Sequence, residues 1–505
     1  MQRKQLTLVI VSLLVVVLSV SLAYFTTQII GKGKDVSVTS ANLQIVFTDS
    51  DGALTETDIE PGWQKTKTFT IKNDTKTEYK YNIVIKDLLN TFVTNGYLQY
   101  KITSTNDGYN MTEFKDIPKS SAPKDTILAY SVVIPNGVTQ SYTIEFKYAN
   151  DENVDQSDDM GKKLSGTLFI TEGTEQPTLL SQILNDNPTR NTRDTYDAVF
   201  TNNTTGTLFT ATEKNVHNIA DTTVYYYAGN TTNNWVKFAG YYWRIIRTNA
   251  DGSIRLLYSG TEAEGTTGTN GMINTSTAFN SSYNSPKYVG YMYGENDDTL
   301  ANARTNTKNS TIKDKIDTWY AQNMTSYTKY LSTTAVYCND RTEKTSGTYT
   351  TGNTTFYYAP YARVYTNYAP TYDCTEASDA FSGSNTSAKL TYPIALMTAD
   401  EIMRAGGKVE TSLTSPYAWY YLNSTNGSIT GSNLWWLLSP YYWNGSYAFV
   451  FYVFGSSYPG HLSNYNVNYT NGVRPAVSLK SCVKTSGGDG SANAPYTIEE
   501  STSGC

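Results

Sequence analysis

The sequence predicts a multidomain, β-rich chain: an N-terminal membrane helix, an antiparallel β-sandwich, then an α+β unit. Three observations carry that prediction. Residues 6–25, LTLVIVSLLVVVLSVSLAYF, are 20 positions without a charge, long enough to span a bilayer. From 36 to about 171, apolar and polar residues alternate in short runs between turn clusters, the period of half-buried strands. Beyond about 222, further strand-like runs surround two helix signals.

The first segment, 1–30, has Arg3 and Lys4 ahead of the apolar run, which favours a retained anchor with the rest of the chain outside the cell. Ser21-Leu22-Ala23 offers the small-x-small pattern of a signal-peptidase site, so release after cleavage near Ala23 is the alternative. The protein is therefore expected on the extracellular face of the membrane, or secreted.

Segment 36–172 contains Phe69/Ile71, Tyr79/Tyr81/Ile83/Ile85, Leu98/Tyr100/Ile102 and Tyr142/Ile144/Phe146/Tyr148. With turn clusters such as EPG at 60–62 and PNG at 135–137, about seven runs make an immunoglobulin-like sandwich. Segment 173–221 is polar and Asn/Thr-rich, and reads as a linker holding one short helix over Leu179, Leu180, Ile183 and Leu184.

Segment 222–482 opens with WVKFAGYYWRIIRTNADGSIRLLYSG, whose Asp251-Gly252 joins two β-rich runs as a hairpin. Residues 261–310 read as a long loop with little regular structure. Ile312, Ile316, Trp319 and Tyr320 after Ser310 predict a capped amphipathic helix. Thr398-Ala-Asp-Glu401 is a capping box that accounts for Asp400 and Glu401, and Gly406-Gly407 ends its helix. Arg474 reads as a structural guanidinium for backbone carbonyls, and Pro475 suggests an edge strand.

Segment 483–505 is a short tail. The four cysteines, Cys338, Cys374, Cys482 and Cys505, form no C-x-x-C pair. In an exported chain they predict two disulfides among three possible connectivities. Pairing 338 with 374 and 482 with 505 is favoured, the second clipping the tail back onto its domain.

Charge and composition narrow the function. Lys+Arg 39 against Asp+Glu 45 gives a net charge of −6, which argues against nucleic-acid binding. The only histidines, His217 and His461, lie far apart, so multi-histidine metal sites are excluded and a Ser/His/Asp triad is disfavoured. No metal and no cofactor is expected.

The stretch 441–471 holds no Lys, Arg, Asp, Glu, Gln or Met. Seven of its 31 residues are Tyr, five Asn, four Ser and three Gly. This is the composition of antibody contact loops, in which Tyr supplies stiff amphipathic area and Ser, Gly and Asn adapt their hydrogen bonds. The competing reading makes Ala448 to Phe454 a core strand and GSSYPG its turn. Alternation through 461–469 puts His461, Ser463, Tyr465, Val467 and Tyr469 on one face and Asn464, Asn466 and Asn468 on the other.

Two resemblances follow from these motifs. AYFTTQIIGKGKDVSVTSANLQIVFTD and the KTFTIKN strand make the first half similar to camelysin-like surface proteins of Gram-positive bacteria, which implies an extracellular sandwich with a spacer or assembly role. WWLLSP at 435–440, GVRPAVSLK at 472–480 and KLTYPIALMTADE at 389–401 make 222–482 resemble C-type-lectin-like domains that share architecture with formylglycine-generating enzymes. Among these are the variable proteins of diversity-generating retroelements. There a reverse transcriptase rewrites adenines in asparagine codons, and 30 of the 31 positions in 441–471 obey the resulting residue menu. The exception, Trp443, is then a fixed scaffold residue. The paired calcium and sugar motifs of C-type lectins are absent, as is the close cysteine pair of the formylglycine-generating enzymes. The resemblance therefore implies the fold without that chemistry.

The expected function is recognition, not catalysis: an adhesin or receptor for a protein or glycan on another cell, phage or host surface. The contact residues expected are Tyr441, Tyr442, Asn444, Tyr447, Tyr452, Tyr458, His461, Asn464, Tyr465, Asn466, Asn468, Tyr469 and Asn471. The rivals are a structural matrix or fibre subunit, and an extracellular enzyme on the formylglycine-generating scaffold.

Overall fold

The computed structural model describes residues 36–40, 43–49, 54–56, 59–263, 268–344, 348–423, 427–501 and 504–505. The chain is β-rich, 39% strand and 12% helix in several sheets. It divides into two compact units, Met1–Gln176 and Pro177–Cys505. The apolar segment 6–25 lies outside the described residues. Among those described, no helix is long and apolar enough to cross a membrane.

The first unit pairs two antiparallel sheets as a sandwich. One runs Val36–Ser40, Leu43–Asp49, Gln64–Asn73, Thr139–Tyr148, Leu98–Ser104, Lys115–Asp116. The other runs Leu54–Glu56, Leu164–Glu172, Tyr79–Asn90, Ser120–Ile134. The alternation read from the sequence becomes strict inward and outward placement: in Thr139–Tyr148 every second residue, Gln140, Tyr142, Ile144, Phe146 and Tyr148, is buried. Ile71, Ile83, Ile102, Ile144 and Ile170 from both sheets share one core. Tyr142 stacks on Phe69 at 4.8 Å, and its hydroxyl meets that of Tyr81, which also donates to Gln140 Oε1 at 2.6 Å.

The second unit is built on a ten-stranded sheet and a six-stranded one. The expected hairpin is present as Tyr241–Thr248 and Ile254–Tyr258, with Gly252 supplying the positive φ of its turn. Pro475–Leu479 pairs with Ile254–Tyr258 on one side and Ile394–Leu396 on the other. It is therefore a central strand, not the edge that Pro475 suggested. Pro475 is its first residue, where a missing N–H costs the ladder least. All residues of these three strands are buried.

Both helix signals are realised. Thr311–Asn323 is capped by the Ser310 hydroxyl accepting from the Lys313 N–H. In Ala399–Ala405 the Glu401 N–H donates to Thr398 Oγ1 at 3.1 Å, and the Thr398 N–H donates to Glu401 Oε2 at 3.0 Å. Gly406, at φ 119°, ends the helix in the left-handed region.

Three segments depart from expectation. Within 173–221 the short helix exists as Leu179–Asp186, but the segment is no linker. Leu179 and Ile183 enter the main core, and Thr207–Asn215 with Asn218–Tyr226 form a hairpin that joins the large sheet at Tyr226↔Arg247. The hairpin escapes the sequence because its strands are half exposed and carry Thr212 and Thr223, beside Ala220 and Asp221, outward. The tail 483–505 likewise contributes strands: Thr485–Gly487 pairs with Tyr496–Ile498, which lies parallel to Trp235–Phe238. The loop 261–310 contains Asn274–Ala278, a strand paired with Thr470–Val473. The two disulfides, Cys338–Cys374 and Cys482–Cys505, are those favoured by the spacing.

Candidate binding surface

The six-stranded sheet of the second unit runs Asn274–Ala278, Thr470–Val473, Trp435–Trp443, Ala448–Val453, Leu462–Asn466, with Phe356–Tyr357 paired to the far end of Trp435–Trp443. Most of the 441–471 window therefore sits on its last strands and their turns. Trp435–Trp443 is buried at every position except Tyr442, so this strand shows no alternation of buried and exposed residues. Register assigns the faces: Phe451↔Asn464 and Phe449↔Asn466 share one, while Tyr452↔Ser463 and Val450↔Tyr465 share the other. The separation of Ser463 and Tyr465 from Asn464 and Asn466 matches the sequence reading. The strand ends at Asn466, and Val467 turns into the core.

The thirteen expected contact residues fall into three groups. Tyr441, Tyr452 and Asn471 are buried and belong to the packing, which corrects their assignment as contacts. For the two tyrosines the cause is bulk, their rings packing inside the sheet, Tyr441 against Phe451 at 4.7 Å and Tyr452 near Trp436; Asn471 is buried within the strand Thr470–Val473. Burial raises the pKa of Tyr441, and raises that of Tyr452 to about 12. Tyr442, Asn444, His461, Asn464, Tyr465, Asn466 and Asn468 are half-buried. Tyr447, Tyr458 and Tyr469 are exposed, at 37%, 55% and 50%.

The exposed tyrosines stand on aromatic supports. Tyr447 stacks on Tyr283 at 4.9 Å. Its turn is made by Asn444, whose Oδ1 accepts from the Ser446 and Tyr447 N–H groups. Trp443 is buried and its indole N–H donates to the Gly352 carbonyl at 2.9 Å. Tyr458 and His461 both pack against Phe454, at 5.0 and 5.2 Å. Burial lowers the His461 pKa, with Glu410 opposing, so the ring is neutral at pH 7. Tyr469 and Tyr465 contact at 4.1 Å, and the hydrogen bond between them raises the Tyr465 pKa.

On the opposite face, Tyr442 lies between Phe449 at 4.4 Å and Tyr357 at 5.4 Å. The row continues through Tyr361 to Tyr365 at 4.2 and 5.0 Å, and the Tyr365 hydroxyl donates to Glu410 Oε2 at 3.1 Å. Because the rings stack on one another, the row presents edges and hydroxyls. Tyr357, Tyr361 and Tyr365 are absent from the sequence-derived set; the spacing of four between Tyr361 and Tyr365 is a helical signal, but Tyr357 joins the row from the strand Phe356–Tyr357. Tyr283 carried no comparable signal, being placed by a contact distant in sequence.

Among the described residues, the fully buried carboxylates of this unit, Glu213, Asp379, Asp400 and Glu401, are paired with guanidinium groups. Arg247 bridges Glu213 at 2.8 Å and Glu401 at 2.9 Å, and Arg255 reaches Glu401 at 2.6 Å. Arg363 joins Asp340 and Asp400. Glu401 and Asp400 thus hold buried ion pairs in addition to opening their helix. Burial pushes the Glu401 pKa up, but Arg255 and Arg247 prevail and hold it below the usual carboxylate range. The cavity between these groups has a volume of 20 Å³, room for about one water. Arg474 is the buried structural guanidinium expected: it donates to the carbonyls of Gly271, Tyr420 and Tyr258 and lies over Trp435. Burial lowers its pKa to about 9.

No family model, no curated protein and no solved structure matches the chain.

Proposed function

We propose that this is an extracellular recognition protein whose C-terminal unit, a C-type-lectin-like head, binds a protein or glycan on another surface through the exposed part of the 441–471 window. One observation carries the reading. Among the described residues, the large hydrophobic side chains exposed on this unit are Ile219, Tyr283, Tyr447, Tyr458 and Tyr469. All but Ile219 belong to the window or stack on it. Tyrosines clustered on aromatic supports, beside uncharged amides, give large contact area at low entropic cost. The lectin-like assignment rests on WWLLSP, GVRPAVSLK and KLTYPIALMTADE. Two disulfides agree with an oxidising compartment. Pairing of the buried carboxylates with arginines favours binding over turnover.

The test is binding of the labelled protein to panels of bacterial cells, host cells and immobilised glycans, with and without the triple substitution Tyr447→Ser, Tyr458→Ser, Tyr469→Ser. Loss of binding by at least tenfold with an unchanged melting temperature is expected. Equal binding by the triple variant would remove these residues from the contact surface.

A further inference from the structure

A second feature is formed by residues 191–209 at the start of the C-terminal unit, where Arg193 also reaches the end of helix Ala399–Ala405. It is an open cavity of 560 Å³ whose lining includes Thr192, Arg193, Phe200, Asn202, Thr204 and Phe209. That volume lies within the range of small-molecule sites.

Arg193 is its central group. The guanidinium lies 4.5 Å from the Tyr196 ring centre and 4.5 Å from that of Phe200. Nη1 donates to the Arg404 carbonyl at 2.7 Å and the Met403 carbonyl at 3.5 Å, satisfying the helix end. Nε and Nη2 have no acceptor among the described residues, and no carboxylate there lies within ion-pairing distance. The nearby charge is a second cation: Arg404 donates to the Tyr196 hydroxyl at 2.9 Å, and its own Nε is buried without a partner. Burial, together with Arg404, holds the Arg193 pKa below the ordinary arginine value. A half-buried guanidinium whose free N–H groups face an open cavity, with no counter-charge beside it, is a site for an external anion.

We infer that this cavity binds a carboxylated sugar residue, its carboxylate taken by the free N–H groups of Arg193. The lining supplies one cation and no lysine, which suits a single negative charge better than a phosphate dianion. Thr192, Asn202 and Thr204 are exposed hydroxyls and an amide that suit sugar hydroxyls, and Phe200 and Phe209, in edge contact at 5.5 Å, offer an apolar wall. This site is independent of the tyrosine surface and stands if that surface fails.

The experiment titrates the full chain with glucuronic acid and N-acetylneuraminic acid. Glucose, inorganic phosphate and a short peptide with a free C-terminus serve as comparisons, and binding is read by calorimetry or ligand-observed NMR. Saturable binding of an acidic sugar, no response to glucose, and weakening with added salt are expected. Arg193→Gln should weaken binding at least tenfold. Asn202→Ala, which leaves the helix-end contacts intact, should weaken it about threefold and decides the matter if Arg193→Gln melts early. Equal responses to glucose, a preference for phosphate or the peptide, or unchanged binding in both variants would overturn the assignment.

Discussion

The two units solve the same problem with different interiors. In sandwich strands such as Gln64–Asn73 and Thr139–Tyr148, inward residues alternate with Lys and Thr on the other face, and the core is aliphatic with phenylalanines and tyrosines. In the C-terminal unit the central strands are buried on both faces, and the interior contains tryptophan, tyrosine and fully buried arginines. A two-sided core has no cheap exit for a polar group, so each buried charge must find a partner within it. Stability in the first unit is therefore spread over many similar contacts, whereas the second depends on a few ionic and phenolic groups whose loss is expensive.

The largest contrast should appear at alkaline pH. Burial raises Tyr258, Tyr320 and Tyr337, each to about 12, and drives Tyr291, Tyr358 and Tyr372 well above 10. A phenol whose folded pKa is raised stabilises the fold fully below its unfolded value near 10. That stability is lost as pH climbs through the folded value, at about 1.4 kcal/mol for each tenfold change in the phenol's acidity between the unfolded and folded states. Unfolding of the C-terminal unit between pH 10 and 12 is expected, read by its tryptophans, since Trp63 is the only one before residue 177. The sandwich shares the trend through Tyr81, Tyr142 and Tyr148 but with fewer such groups. A transition at pH 8 to 9 in the tryptophan signal would contradict the account.

Next in size is Glu401→Ala, which leaves Arg247 and Arg255 short of their shared carboxylate. A cost of about 3–5 kcal/mol is expected. Asp74→Ala in the sandwich removes a solvent-facing pair with Lys72 and should cost at most about 1 kcal/mol. Urea denaturation of the two variants compares them, and similar values would erase the distinction between the interiors. The lowered Glu401 pKa also means that its contribution, present above the unfolded value near 4.3, disappears as pH falls through the folded one. Replacing Cys338 and Cys374 together by Ser should cost about 2–4 kcal/mol for a loop of this length, measured the same way. The smallest effect on stability belongs to Tyr458→Ser, expected within about 0.5 kcal/mol, since its ring is largely in solvent.

These interiors also explain what the sequence discloses. Alternation through 142–148 betrays the sandwich because only one face is covered. WWLLSPYYW carries no alternation, because eight of its nine residues are buried, so the faces of the window are settled by pairing register and not by pattern. Tyr441 and Tyr452 share the composition of their exposed neighbours and differ from them only in tertiary position. Capping chemistry at Thr398 and Ser310 is local and fully legible. The Arg247–Glu401 pair, 154 positions apart, and the contact of Arg193 with the Arg404 carbonyl, 211 apart, are long-range arrangements that no local signal encodes.

The central claim is that residues 441–471 form a recognition surface laid over a fixed core, and sequencing of codons 430–480 across related isolates and a clonal population tests it most directly. Substitutions confined to the exposed and half-buried positions, such as Tyr447, Tyr458, His461, Asn464, Tyr465, Asn466 and Tyr469, with Tyr441, Trp443, Tyr452 and the flanking WWLLSP and GVRPAVSLK unchanged, are the predicted result. A window as invariant as its flanks, or changes falling equally on the buried tyrosines, would contradict it.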